Sequence, residues 1–211
     1  MDIYEALYTT RAMRRVKPDP IPYEAQARIL DAAIRAPHIG EGWRFILVDD
    51  PEIKSQLAPL YRQGFERMIG GRPEELFAEV IQTDTQMGKT VRSGLHLVNH
   101  FAEVPLLLMG FGRTRDGAGV YPALWNAMLA ARAEGIGATL TGFLQSYFAS
   151  EVMEILRVPK DSGWYLHGVV VMGYPTGRWG VAARKPVHEV AARNSWEGDL
   201  GFTVPEPLWQ K

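Results

Sequence analysis

Three apolar runs, separated by segments of helical character, most constrain the fold of this chain. They read WRFILVDD (43–50), VPLLLMGFG (104–112) and YLHGVVVMGYP (165–175). Each is rich in strand-forming residues, and each is shorter than the roughly 18 apolar residues that a membrane-spanning helix requires. The runs therefore predict three buried strands and no membrane span.

Helical patterns lie between these runs. Residues 23–36 place Ile29 and Ala33 on one face. Residues 120–135 are the clearest helix, with Gly135 where a left-handed C-terminal cap belongs. Helices that alternate with a few buried strands indicate an α/β or α+β class.

Length and charge limit the possible classes of protein. The 211 residues carry a net charge of −1 and no cysteine. This predicts one domain over residues 1–211, with a polar helical lid at 60–95 and an extended C-terminal tail at 193–211. The charge balance argues against a nucleic-acid or membrane partner, and the missing cysteine excludes disulfides and thiol catalysis. No N-terminal run resembles a signal peptide, so we expect a cytoplasmic protein.

One short N-terminal segment, TRAMRRVKP (10–18), is strongly basic. If it is helical, Arg11, Arg14 and Arg15 lie on one face. Three guanidinium groups on one face repel unless an anion lies among them, and arginine suits bidentate phosphate contact. From these residues alone, a solvated helix face and a phosphate pocket both remain open.

Other candidate motifs point to no specific chemistry. EGIGATLTG (134–142) favours a helix cap and a tight turn, although it also permits a backbone close to a flat ligand, and no dinucleotide-binding or P-loop pattern occurs. His96 and His100 have the spacing of metal ligands, but no glutamate lies between them, so we expect surface or hydrogen-bonded histidines and no metal. His167, inside an apolar strand, is expected in the core.

Four segments, in this order, resemble the FMN-dependent nitroreductase family. TTRAMRRVKPDPIPYEAQARILDAAIRAP resembles its signature R-R-S-x-R-x-F, proline-rich turn and helix, and GWRFILVDDPEIK resembles the following strand. LWNAMLAARAEGIGATLTG resembles its central helix and turn, and VVVMGYPTGRWGVAARKP its closing strand and basic R-K-P. The resemblance covers residues 4–192. It implies an α+β nitroreductase-like fold, with a central, mainly antiparallel sheet flanked by helices, and an intertwined homodimer.

The resemblance also implies a site for FMN, whose phosphate and ribityl chain would lie against the N-terminal basic segment. Arg14 would lie toward the pyrimidine end of the flavin, Arg184 would add a second phosphate contact, and Pro37 and His38 would come from the partner subunit. The implied cofactor-binding residues are Arg11, Ala12, Met13, Arg14, Arg15, Pro37, His38, Leu140, Thr141, Gly142 and Arg184.

The chain departs from the family pattern at three places. Thr10 stands at the first arginine, Ala12 at the serine that bonds the cofactor, and the loop APHIGEGW (36–43) is shortened, with His38 at its serine. We therefore expect weaker FMN binding or a different electron donor or substrate.

The resemblance implies an FMN-dependent oxidoreductase that passes hydride from NADH or NADPH, through flavin N5, to a nitroaromatic, quinone or similar small oxidant. The flavin carries the chemistry, so no catalytic side chain is expected. One alternative is a reductive dehalogenase or flavin-fragmenting relative, because YRQGFERM (61–68) weakly resembles the lid of iodotyrosine deiodinases, with Tyr61 and Phe65 in place of a glutamate and a tyrosine. Another is a flavin-binding module without turnover.

Overall fold

The computed structural model describes residues 1–38 and 42–209 and divides into two compact units. The larger unit is Arg11–Arg178, and the smaller unit joins Met1–Thr10 to the chain from Trp179 onward. The single domain expected from the sequence stays a prediction. Among the described residues, no helix is long and apolar enough to cross a membrane.

The helices and strands are α1 (Ile3–Thr9), α2 (Tyr23–Ala33), β1 (Trp43–Val48), α3 (Pro51–Ile69), α4 (Pro73–Leu76), α5 (Gln86–Asn99), β2 (Leu106–Gly112), α6 (Val120–Ala133), β3 (Gly137–Thr141), α7 (Phe143–Ile155) and β4 (Tyr165–Gly173), with 3₁₀ turns at Val80–Gln82, Phe101–Glu103 and Val187–Glu189.

One antiparallel sheet runs through the larger unit in the order β1-β2-β4-β3. Leu108 of β2 pairs with Leu47 of β1 on one side and with Val170 of β4 on the other, and Val170 also pairs with Leu140 of β3. The outer edge of β1 has no partner strand among the described residues.

Helices cover both faces of this sheet. Leu106 and Leu108 of β2 pack into a core shared with α2 and α6, whereas Leu107 and Met109 pack into a second core shared with α3, α5 and α7. Because strand side chains alternate between faces, a strand buried on both sides reads as a continuous apolar run. The α+β class with an antiparallel sheet flanked by helices is confirmed.

The start of α3 and the end of α6 follow local sequence signals. Asp50 caps α3 by accepting hydrogen bonds from the backbone N–H groups of Glu52 at 2.7 Å and Ile53 at 3.1 Å, and Pro51 occupies the first turn. Gly135 follows α6 with φ of 75°, the left-handed conformation expected of a helix terminator.

The tight turn expected at 134–142 is wrong, because Gly137–Thr141 form strand β3. The basic segment is extended rather than helical after α1 ends at Thr9, because its backbone pairs with β3: the Met13 N–H donates to the Ala138 carbonyl at 3.1 Å. The arginines therefore do not share one helix face.

The smaller unit contains little regular structure. It consists of α1, one 3₁₀ turn and irregular chain, and the rings of Tyr8 and Trp209 lie 5.9 Å apart. Trp196 is 96% exposed and Leu208 is 78% exposed. Such large apolar exposure marks a surface that can bind another protein.

Candidate functional site

The basic segment lies directly against strand β3. Met13 is buried, and its Cβ is 2.7 Å from where a Cβ of Gly137 would lie, so only glycine permits this approach. The Arg15 carbonyl accepts a hydrogen bond from the Thr176 N–H at 3.1 Å, which ties the segment to the chain after β4. The structure thus brings residues 11–15 beside the strand that leads to residues 140–142.

Arg14 is the most buried of the three arginines in this segment, whereas Arg11 and Arg15 are exposed. It lines a cavity of about 250 Å³ on one side and a cavity of about 150 Å³ on the other. Among the residues that the structure describes, none of these three guanidinium groups has an ion-pair partner. An unpaired cation that lines two cavities favours an anionic ligand.

The end of β3 presents an apolar side chain to the surface. Ala138 is 3% exposed, but Leu140 is 41% exposed. Gly142 forms the N-cap of α7, and the Gln145 Nε2 lies 2.9 Å from where a Cβ of Gly142 would lie. The Gln145 Oε1 is buried without a hydrogen-bond partner in the described part of the chain. A buried acceptor without a partner is unusual, so the Gln145 Oε1 marks the start of α7 as a place where a ligand could donate a hydrogen bond.

The cavity of about 250 Å³ lies between α3, α5 and the start of α7. Its only charged lining group, among the described residues, is Arg14. Tyr61 is 2% exposed, and burial raises the pKa of its phenol to about 12. The lining residues are Arg14, Tyr61, Phe65, Met68, Ile69, Phe77, Thr90, Val91, Gly94 and Phe143. Most of them belong to the segment 60–95 predicted as a lid, whose role as a lid stays a prediction.

Sequence reasoning missed two features next to Arg14. The first is the contact between Tyr61 and Thr141, in which the Thr141 hydroxyl donates to the phenol oxygen at 3.2 Å. The second is the pair of His96 and His100, both of which line the cavity of about 150 Å³ with ring centroids 4.4 Å apart. The spacing in the sequence indicated that the two histidines are neighbours, but nothing in it placed them near the basic segment.

The electrostatics of the two histidines differ. Burial, and then the neighbouring His100 and Arg15, lower the pKa of His96. The Nδ1 of His100 lies 2.9 Å from the Glu103 carboxylate. Within residues 1–38 and 42–209, no cluster of side chains could hold a metal ion. Elsewhere, His167 is 6% exposed, and its predicted core position is confirmed.

Pro37 and His38 do not line either cavity next to Arg14. They lie at a separate cavity of about 410 Å³, together with Gly112 and the loop that precedes α6. The His38 ring lies 4.2 Å from the ring of Trp43. Residues 39–41 of the shortened loop fall outside the described residues. That Pro37 and His38 reach a partner's flavin stays a prediction.

Arg184 belongs to the smaller unit. Its side chain is exposed, and its guanidinium donates to the Ala183 carbonyl at 2.9 Å. Its predicted phosphate contact stays a prediction.

The comparisons with known proteins agree with the fold. A sequence model of the nitroreductase family matches residues 7–174. Among solved structures, iodotyrosine deiodinase bound to FMN and 3-iodo-L-tyrosine is 20% identical and has a TM-score of 0.70, with 92% of this chain and 100% of that one covered. An FMN-dependent nitroreductase from Clostridium difficile is 18% identical with a TM-score of 0.66, and the match covers 91% and 99% of the two chains.

A third solved structure is an NADPH:FMN oxidoreductase from Vibrio harveyi complexed with NAD⁺. It is 18% identical with a TM-score of 0.67, and the match covers 92% of this chain and 78% of that one. At these identities the structural likeness shows a shared fold. Because the family's sequence model spans well over half of the residues, from the end of α1 to the end of β4, the chain belongs to the nitroreductase family.

Proposed function

We propose that this flavin oxidoreductase family member binds FMN and passes hydride from NADH or NADPH to a small organic oxidant. The supporting observation is Arg14, an unpaired and partly buried cation between two cavities, beside the exposed end of β3. A flavin needs a cation near its pyrimidine ring, because negative charge develops there on reduction.

The residues present fit this cofactor. Arg11 and Arg15 are exposed cations suited to a phosphate, and Arg14 would stabilise negative charge at the pyrimidine end. The exposed side chain of Leu140 and the backbone at Gly142 would support a flat ring. When bound, FMN would supply the hydride chemistry. The protein would supply orientation, charge stabilisation and an apolar cavity that excludes water.

A homodimer belongs to this proposal. An apolar edge strand normally needs a partner, and a cavity of about 880 Å³ lies beside β1, lined by Ile46, Leu47 and Val48 together with residues of α3 and α7. We propose that the extended segment 193–211 of a second copy covers this edge. The second copy would also supply Pro37 and His38 to the shared flavin site.

Reductive dehalogenation is the second candidate. The supporting observations are the deiodinase fold, which is covered over its full length, and the aromatic cavity walled by the segment 60–95. Tyr61 and Phe65 carry no charge that could bind the carboxylate or ammonium group of an amino acid. We therefore place this reaction second.

The test begins with purified protein reconstituted with FMN or FAD. The expected result is retention of FMN, identified by chromatography after denaturation, and bleaching of the flavin by anaerobic NADH or NADPH. Air-free addition of nitrobenzene or of 3-iodotyrosine should then reoxidise the flavin faster with nitrobenzene. Faster reoxidation by 3-iodotyrosine, with release of iodide, would favour the dehalogenase. FMN binding without bleaching by NADH or NADPH would favour a flavin-binding module without turnover.

A further inference from the structure

Two buried hydroxyl groups at the candidate site share one hydrogen bond. Thr141 is 8% exposed and Tyr61 2% exposed, and the Thr141 Oγ1 donates to the Tyr61 Oη at 3.2 Å. Two hydroxyl groups carry two protons, and one hydrogen bond uses only one of them. Among the described residues, the remaining proton has no acceptor. Buried donors are normally satisfied, so this proton indicates a missing acceptor.

The phenol is held rigidly at this position. Its ring stacks on the Phe101 ring with centroids 4.0 Å apart and an interplanar angle of 16°. The centroid of the Phe143 ring lies 5.3 Å from that of Tyr61. Since burial raises the pKa of Tyr61 to about 12, the phenol stays protonated over the whole neutral range. Tyr61 is therefore a fixed hydrogen-bond donor in the ligand-free protein.

The surroundings of the donor define the ligand. Tyr61 lines the cavity of about 250 Å³, whose walls are mainly apolar and aromatic, and Arg14 is the one charged group among its described lining residues. A ligand with an apolar ring body and an oxygen acceptor at one end matches these walls. A halogen substituent accepts hydrogen bonds poorly and would leave the phenol proton unpaired.

We propose that the Tyr61 hydroxyl donates a hydrogen bond to the oxygen atoms of the reducible group, nitro or carbonyl, of an aromatic substrate in this cavity. The proposal rests on the proposed function and adds the residue that selects oxygen-bearing over halogen-bearing substrates. A quinone that receives hydride becomes a hydroquinone monoanion, and one proton from water completes the hydroquinone. The phenol stabilises the negative oxygen and keeps its own proton.

The test compares the binding of nitrobenzene and iodobenzene to the oxidised FMN-loaded protein, followed by flavin and tryptophan fluorescence. Tyr61→Phe removes the donor and keeps the ring against Phe101. We expect the Kd of nitrobenzene to rise by roughly 2- to 12-fold in this variant, as for one neutral hydrogen bond, with no change for iodobenzene. Tyr147→Phe, the same change on an exposed tyrosine of α7, should alter neither Kd.

Three results with the Tyr61→Phe variant would overturn the assignment. They are equal binding of nitrobenzene to wild type and Tyr61→Phe, equal weakening of both ligands, or weaker FMN binding with unchanged nitrobenzene binding. A wild-type protein that binds FMN but not nitrobenzene would overturn it as well. Failure of the proposed function would instead appear as absent FMN binding or absent bleaching by NADH and NADPH, both measured before any ligand is added.

Discussion

The two compact units differ in how they bury apolar side chains. In the larger unit, Leu108, Leu124 and Val170 are fully buried at 0% exposure. In the smaller unit, the described residues 179–209 contain no buried side chain. A segment without buried apolar surface has little to offset the conformational entropy of ordering it. The larger unit therefore has its own core, whereas the described terminal chain 179–209 does not.

The largest expected effect is on assembly. Truncation at Asn194 removes Trp196, Phe202, Leu208 and Trp209, and burial of such side chains can contribute several kcal/mol at about 25 cal/mol per Å². We expect light scattering to show a dimer for the full chain and a monomer for the truncated chain. A stable, flavin-loaded monomer of the full chain would contradict the dimer. A truncated chain that still dimerises would contradict only the proposed role of the tail.

The next prediction compares the same change, valine to alanine, in each of the two units. Val170→Ala in β4 deletes two buried methyl groups and leaves a cavity, so we expect a loss of about 2–3 kcal/mol in the free energy of unfolding. Val190→Ala changes a side chain that is 67% exposed, and we expect less than about 0.5 kcal/mol. Urea denaturation measures both. Equal losses would show that the two units share one core.

A comparable effect is expected on the cofactor. Arg11→Ala in the larger unit and Arg184→Ala in the smaller unit should each raise the Kd of FMN by about 10- to 150-fold, as for one lost charge-assisted hydrogen bond of roughly 1.5–3 kcal/mol. Lys17→Ala is the control and should leave the Kd unchanged. Fluorescence titration of FMN gives all three values. Equal, negligible changes in the Kd of all three variants would show that the basic segment is a solvated surface.

The smallest effect concerns an exposed ion pair of the larger unit. Arg28 binds the Glu134 carboxylate through two hydrogen bonds of 2.8 and 2.7 Å, and this contact lowers the pKa of Glu134. Its stabilisation is present above the ordinary glutamate pKa and is lost as pH falls through the lower folded value. We expect Glu134→Gln to change the midpoint of urea denaturation only slightly at pH 7, and to leave it unchanged at pH 3. Glu189→Gln, in the smaller unit, should shift neither.

The elements predicted correctly are those whose signal is local. Strands β2 and β4 are buried on both faces, so their apolar runs were visible without a structure. Gly135 indicated the end of α6 because capping depends on neighbouring backbone groups. The five-residue β3 was missed because its glycine and threonines also suit a turn, and only pairing with β4 makes it a strand.

The candidate site was predicted in part. The resemblance to the family singled out residues 11–15 and 140–142, and the structure places the first segment against Ala138 of β3, the strand that leads to the second. The sequence left open whether the basic segment is helical, and pairing of its backbone with Ala138 makes it extended. The contact of Tyr61 with Thr141 joins residues 80 positions apart, and no spacing rule in a single sequence reports such a pair.

The open edge of β1 bears on how the protein reaches its working form. A six-residue apolar strand with free N–H and C=O groups is a template for any extended chain that meets it. While this edge is open, newly made copies can add to one another without closure and aggregate. In the proposed dimer, correct pairing would compete with this aggregation, and the yield of folded protein should then depend on chain concentration during folding.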